Sequence, residues 1–360
     1  MKTRKSTLER RGDSVLPFRR VFVMHFFRVA RPWLALVAAM VVGGPAAAQD
    51  KVQYREAGHR GAVQTASGKI DAESIAGVQI GSRLIPSGDI IDVQYEVPAL
   101  IRLDYPRAVA AETRSPAEAI REYEGLLKSP SLDMAPFVRR HFEYKLAALA
   151  AALAEGDQPE STARAIEAIQ RFRKEHPNSW QVVPLTLTLT RLLLEKTPPD
   201  TSAARRSLQD LARNPKAPAD VRANCALQIV DLLLDDGKAE EARRELAAMP
   251  AGDPRIPVYE VGCAATNANR AESVRRLQAI IDRTNDRLVK AAAYNMLGDY
   301  LRRDPATRKD ALYAYLWVDV VYNDDPAQTT KAVSRLAELF AELKDEPRAR
   351  KYRERLRGRP

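Results

Sequence analysis

Few residues in this 360-residue chain are of types that do chemistry, and their spacing decides how each is read. Beyond residue 48 the histidines are His59, His141 and His176, separated by 82 and 35 residues. Zinc sites keep their ligands within a few residues of one another in each pair, so no metal is expected. His176 closes a helical stretch in KEHPNSW, where an imidazole complements the negative end of a helix dipole. ASGK at Ala66 lacks the leading glycine of a phosphate-binding loop, and the chain has neither a dinucleotide-binding glycine set nor a nucleophile elbow. The acid pairs Asp235/Asp236 and Asp324/Asp325 stand in DDGK and NDDPAQ, which read as a turn and a helix cap. These residues imply no cofactor and no catalysis.

Charge is the next discriminator. The net charge is +10, but residues 1–48 hold nine Lys/Arg against two acids and so carry +7, leaving +3 for the other 312 residues. Nucleic-acid binding, which a basic chain first suggests, loses most of its footing. RVARPWLALVAAMVVGGPAAAQD has a basic start, a ten-residue apolar run, a Gly-Gly-Pro break and small residues at Ala46 and Ala48. That order is read by signal peptidases, and cleavage is expected after Ala48. The apolar run is shorter than the roughly 20 residues that span a bilayer, so no stable membrane span is expected in the mature chain. Translation from Met24 gives a signal of ordinary length; the alternative is a twin-arginine signal around Arg19 and Arg20. The protein is expected in the periplasm or cell envelope, or secreted.

Residues 49–106 read as a small antiparallel β module. Short strands are expected at 69–75, 78–80, 83–85 and 89–96, the last with Ile91, Val93 and Tyr95 alternating against Asp92, Gln94 and Glu96. Such a unit has a meagre core, so it is expected to lean on the helical residues C-terminal to it.

Residues 107–360 read as helical, and a packing unit recurs along them. A small residue followed by large apolar ones four and seven positions on appears at Ala119, Ala165, Ala204, Ala242, Ser273 and Ala311, with a defective copy at Ala349. The intervals are 46, 39, 38, 31, 38 and 38 residues. A second signal, a large residue beside a small one, precedes several of these anchors; Leu297-Gly298 is the clearest. Glycine inside a helix costs about 1 kcal/mol against alanine, so Gly298 is expected to mark a close crossing with a partner helix. PLTLTLT at 184–190 alternates like a strand, but Leu185, Leu189, Leu192 and Leu193 also share one helical face, and helix is expected. Residues 255–269 make poor helix, so a shortened unit is expected there.

On these residues the chain resembles the tetratricopeptide (TPR) family. YNMLGDYL and DALYAYLWVDVVYNDDP supply Tyr294, Leu297, Gly298, Leu301, Ala311, Tyr315 and, displaced, Pro326; ARAIEAIQRFRKEHPNSW supplies Ala165, Ile169, Phe172 and Pro177. The period exceeds that family's roughly 34 residues. The resemblance implies a mainly α fold, a right-handed α-solenoid of about seven antiparallel hairpins, with Gly298, Ala311, Ala242 and Ala165 as packing positions. It also implies a binding face lined by first helices, on which Asn224, Asn295, Asp299 and Arg302 would capture a peptide or another protein. Cys225 and Cys263 are 38 residues apart and fall at equivalent places if the step holds. They are either a disulfide or two buried small apolar residues. The expected function is an exported, non-enzymatic interaction scaffold. The alternative is an envelope enzyme, or a subunit accessory to one, with a site between β module and helices.

Overall fold

The computed structural model describes residues 49–55, 62–154, 159–250, 252–266 and 268–357. The expected signal segment and His59 lie outside the described residues. Six strands come first, in two antiparallel three-stranded sheets. In one, β1 (Asp50–Arg55) lies between β2 (Val63–Gly68) and β6 (Ile90–Gln94). In the other, β3 (Ile70–Ser74), β4 (Gly77–Ile80) and β5 (Arg83–Pro86) succeed one another as a meander. Gly77 opens β4 at φ +149°, where a Cβ would lie 1.9 Å from the Ile85 carbonyl oxygen, so only glycine fits.

The expected face of the last strand is corrected at one residue. Val93 and Tyr95 point inward, but Ile91 is 41% exposed because the β1–β6 register slips beside Tyr54 and leaves Ile91 unpaired. The strands β1 and β2 lie outside the expected set; β2 buries no side chain and is held by its ladder to β1. The module does lean on its neighbours. Val52, Ile70, Val78, Ile85 and Val93 share one apolar cluster with Ala108, Tyr123, Phe142 and Trp180 of the helical part.

Fourteen helices come next among the described residues: α1 (Tyr105–Arg114), α2 (Pro116–Leu127), α3 (Pro136–Leu153), α4 (Pro159–Glu175), α5 (Val182–Glu195), α6 (Thr201–Ala212) and α7 (Ala219–Asp235), then α8 (Ala239–Ala247), α9 (Ile256–Ala264), α10 (Arg270–Arg283), α11 (Arg287–Leu301), α12 (Arg308–Val320), α13 (Pro326–Glu342) and α14 (Glu346–Arg357). Caps fix several starts. Ser115 Oγ accepts the Glu118 N–H at 3.3 Å, and Asp325 Oδ1 accepts those of Ala327 and Gln328 at 2.9 and 3.3 Å. The 184–190 segment is helical, inside α5. Leu185 and Leu189 are buried, and Thr186 and Thr190 donate back to the carbonyls of Val182 and Thr186, which satisfies buried hydroxyls that a strand would have to place elsewhere. Residues 256–264 form the shortened α9.

Each helix packs on the next, and α9 and α11 also pack on α7 and α13 and on each other. The anchors all fall on even-numbered helices. Ala119, Ala165, Ala204, Ala242, Ala311 and Ala349 are fully buried, and Ser273 nearly so. A small residue at each crossing lets two backbones approach, while the large residue one turn on fills the space beside it.

Candidate functional site

The odd-numbered helices α7, α9, α11 and α13 turn polar side chains toward one another. On α13 these are Gln328, Lys331 and Arg335, three and four residues apart and therefore on one face. Lys331 Nζ lies 2.7 Å from Asp231 Oδ1 on α7 and 2.9 Å from Asp299 Oδ2 on α11. Arg335 reaches Asp235 at 2.6 Å and Asp299 at 3.4 Å. Two phenols complete the shell: Tyr259 donates to Asp231 at 2.9 Å, and Tyr315 to Asp299 at 2.7 Å. Gln328 donates to the Tyr259 hydroxyl at 3.0 Å and accepts from the Asn295 amide at 2.8 Å. Arg255, at the start of α9, is held by Asp253 at 2.7 Å, Asn224 at 2.7 Å and Asp325 at 3.4 Å.

Electrostatics make this a set of fixed charges. Burial opposes the Lys331 ammonium, yet Asp231 and Asp299 outweigh it and hold the group above the ordinary lysine value. Burial opposes the Asp299 carboxylate too, and Lys331 and Arg335 carry it below the usual range. Burial, with Asp231 or Asp299 alongside, raises the phenols of Tyr259 and Tyr315 well above theirs, so both remain donors. Asp235 differs, since burial raises its carboxyl above the ordinary value against the pull of Lys331 and Arg335, but the constellation is held throughout by ion pairs and donors. It clamps four helices together.

The four residues expected to line an open groove therefore sit otherwise. Asn295 is 1% exposed and donates to both the backbone and the side-chain oxygen of Gln328. Asp299 is inside the clamp, Asn224 accepts from Arg255, and Arg302 pairs with Glu338 at 2.8 Å and Glu342 at 3.3 Å. Each is engaged within the chain. The partners that engage them were not singled out by sequence, although IVDLLL carries a visible signal: Asp231 interrupts a run that buries Ile229, Val230 and Leu233. A carboxylate there needs a cation.

Cys225 on α7 and Cys263 on α9 do occupy packed neighbouring helices, but both are buried and free. The disulfide is not formed. Burial pushes the Cys225 thiol up to about 12, against the lowering effect of Arg173, and it packs as a small apolar group. Among the described residues no group of three His, Cys, Asp or Glu is placed to hold a metal ion.

His141 and Glu73 mark the junction of β module and helices. The Glu73 side chain is wholly covered; Tyr95 donates to it and Arg140 pairs with it, while burial still pushes its carboxyl above the ordinary value. His141 is 1% exposed, packs on Tyr95 with ring centroids 4.8 Å apart, and neither ring nitrogen has a partner among the described residues. Burial, aided by Lys145, depresses its pKa well below 6.5. Unfolded chains take up that proton below about pH 6.5 and the native state does not, so stability is full above that value and falls as pH drops. The loss is expected to develop between about pH 7.5 and 5.5. Glu73, raised in the native state, works in the opposite sense at lower pH. Urea midpoints of His141→Phe should fall less over the same interval; parallel pH profiles would remove His141 as the cause.

No protein-family model matches the chain, and no curated protein matches it significantly.

Proposed function

We propose that the chain is an exported, non-enzymatic scaffold whose TPR-like hairpins stack as a right-handed solenoid and bind another protein. The observation that carries the reading is the recurrence of one crossing unit on seven successive even-numbered helices. Repeats of this kind leave the outer surfaces of their helices free, and stacking neighbours present them side by side. Among the described residues no helix is long and apolar enough to cross a membrane.

Because Asn224, Asn295, Asp299 and Arg302 are engaged internally, the partner is assigned to the outward face of α12. Tyr313 and Val320 are 60% and 66% exposed there, seven residues apart, with half-buried Leu316 and Trp317 between them. Trp317 stacks on Tyr294 with centroids 5.9 Å apart, which stiffens the patch. Large exposed aromatic and aliphatic groups on a rigid helix are suited to protein contacts. The test is affinity capture from an envelope fraction with the wild-type chain and with Tyr313→Glu/Val320→Glu. One protein lost only by the variant is the expected result; identical recoveries would remove α12 as the binding face. N-terminal sequencing of the mature chain tests export, and a start at residue 49 is expected.

The enzyme alternative draws on Glu73, a buried carboxyl with a raised pKa at the β–α junction. Tyr95 and Arg140 cover that carboxyl, so a substrate has no approach to it, and the scaffold reading is the stronger.

A further inference from the structure

The second cluster of basic residues lies away from the clamp, between α4 and α6. Two adjoining cavities of about 600 and about 350 Å³ open there and share Gln170, Arg173 and Asp210. Leu189 and Leu193 of α5, both all but buried, and Ala203 of α6 line the larger, whose accessible surface is more polar than apolar. Its walls and rim are basic: Arg173, Arg206 and Arg213 surround it, and Lys174 lines the smaller cavity, against the single carboxylate of Asp210. A cavity of this volume ringed by convergent guanidinium groups is suited to an anionic group.

The cations are not equally committed. Arg173 is mostly covered; its Nη1 donates to Ser207 Oγ at 2.9 Å, and Nη2 lies 3.3 Å from Asp210 Oδ2. Its Nε has no acceptor among the described residues. The Asp210 side chain is 73% exposed, so this carboxylate is held at the mouth by one long contact and is free to leave. Arg213 is 70% exposed and reaches Glu245 at 3.6 Å, while Arg206, also exposed, has no ion-pair partner among the described residues. Asp210 therefore shows what Arg173 accepts, and Arg206 and Arg213 stand beside it with donors to spare. Guanidinium groups bind carboxylates in a planar, two-point fashion, which suits this set.

We propose that the α4–α6 groove is a binding site for a carboxylate, supplied by an acidic segment of a peptide. The carboxylate takes the place of Asp210 between Arg173 and Arg206, with Arg213 closing the rim. The site is separate from the α12 surface and does not depend on the scaffold reading.

The experiment uses the mature chain and a fluorescein-labelled hexapeptide alternating leucine and glutamate, monitored by fluorescence polarisation. A second peptide carries glutamine in place of glutamate, and laurate supplies the same carboxylate on a lipid body as a competitor. The acidic peptide should bind saturably, at least tenfold tighter than its glutamine counterpart, and more weakly as salt rises. Arg206→Glu/Arg213→Glu should lose at least tenfold while keeping the wild-type circular dichroism spectrum. Arg276→Glu/Arg283→Glu, an equal change of charge on exposed α10 positions, should lose little. Displacement by laurate without any peptide preference for glutamate would keep the carboxylate site and overturn the peptide as its source. Equal binding of the two peptides with no effect of laurate, or equal losses in the two charge-reversed variants, would overturn the site itself.

Discussion

Lys331→Met is expected to destabilise the chain by about 3–5 kcal/mol, the usual cost of removing one partner from a buried ion pair. The methylene stem is replaced by one of similar volume, so packing is nearly kept and the charge is the variable. Without the ammonium, Asp231 and Asp299 face each other's field with side chains only 11% exposed. Arg335 and the two phenols cannot satisfy both. Urea denaturation monitored by circular dichroism reads the effect. Adding Asp231→Asn and Asp299→Asn should return a large part of the loss, because a neutral amide leaves no buried charge behind. The loss should also change little between low and high salt, since buried pairs are weakly screened. A Lys331→Met chain as stable as wild type would mean that α13 is not clamped to α7 and α11 as described.

The helix pairs and their crossings were legible, and the clamp was not. Ala165, Ala242 and Ala311 announce themselves because a helical crossing needs a small residue and a large one at fixed short spacing, which local sequence records. PLTLTLT was readable as helix because its leucines also recur at four, seven and eight residues. The β1–β6 slip was not, since Ile91 carries the same alternation as Val93 and only the partner strand decides which residue is left out. The clamp joins Asp231 to Lys331, one hundred residues apart, across the five helices between α7 and α13. No local spacing encodes how those helices bring the two together. Asn295 and Asp299 lie on α11 and meet Gln328, Lys331 and Arg335 of α13, a partner face that no local pattern in either segment records. The cysteines teach the same lesson at closer range: the interval put them on neighbouring helices, but pairing depends on the direction of each side chain about its helix axis.

Gly298→Leu is the second substitution with a large expected effect, and it tests the crossing where the repeat is clearest. A Cβ at Gly298 would lie 2.6, 2.7 and 3.0 Å from three ring atoms of Tyr315, the fully buried aromatic of α12. The ring is the obstacle, and it has little freedom to leave, because its hydroxyl donates to Asp299 inside the clamp. Helix propensity alone predicts that Gly298→Ala stabilises α11 by about 1 kcal/mol. The close approach predicts the reverse sign, a loss of about 1–3 kcal/mol for alanine, with leucine at or beyond the upper end as α11 and α12 are pushed apart. Displacing Tyr315 also removes a donor from a buried carboxylate, which adds to the cost. Combining Gly298→Ala with Tyr315→Leu should therefore cost less than the two single losses added together, since the smaller side chain vacates the space that the new methyl needs. Gly262 is the control. Its added Cβ would meet only the ends of Leu234 and Met296, at 2.9 Å, and flexible side-chain ends give way where a tethered ring does not. Gly262→Ala should be the milder change of the two in the same urea titration. If Gly298→Ala instead proves the more stable chain, the glycine is not there to admit Tyr315, and the crossing of α11 and α12 must be looser than the ring contacts require.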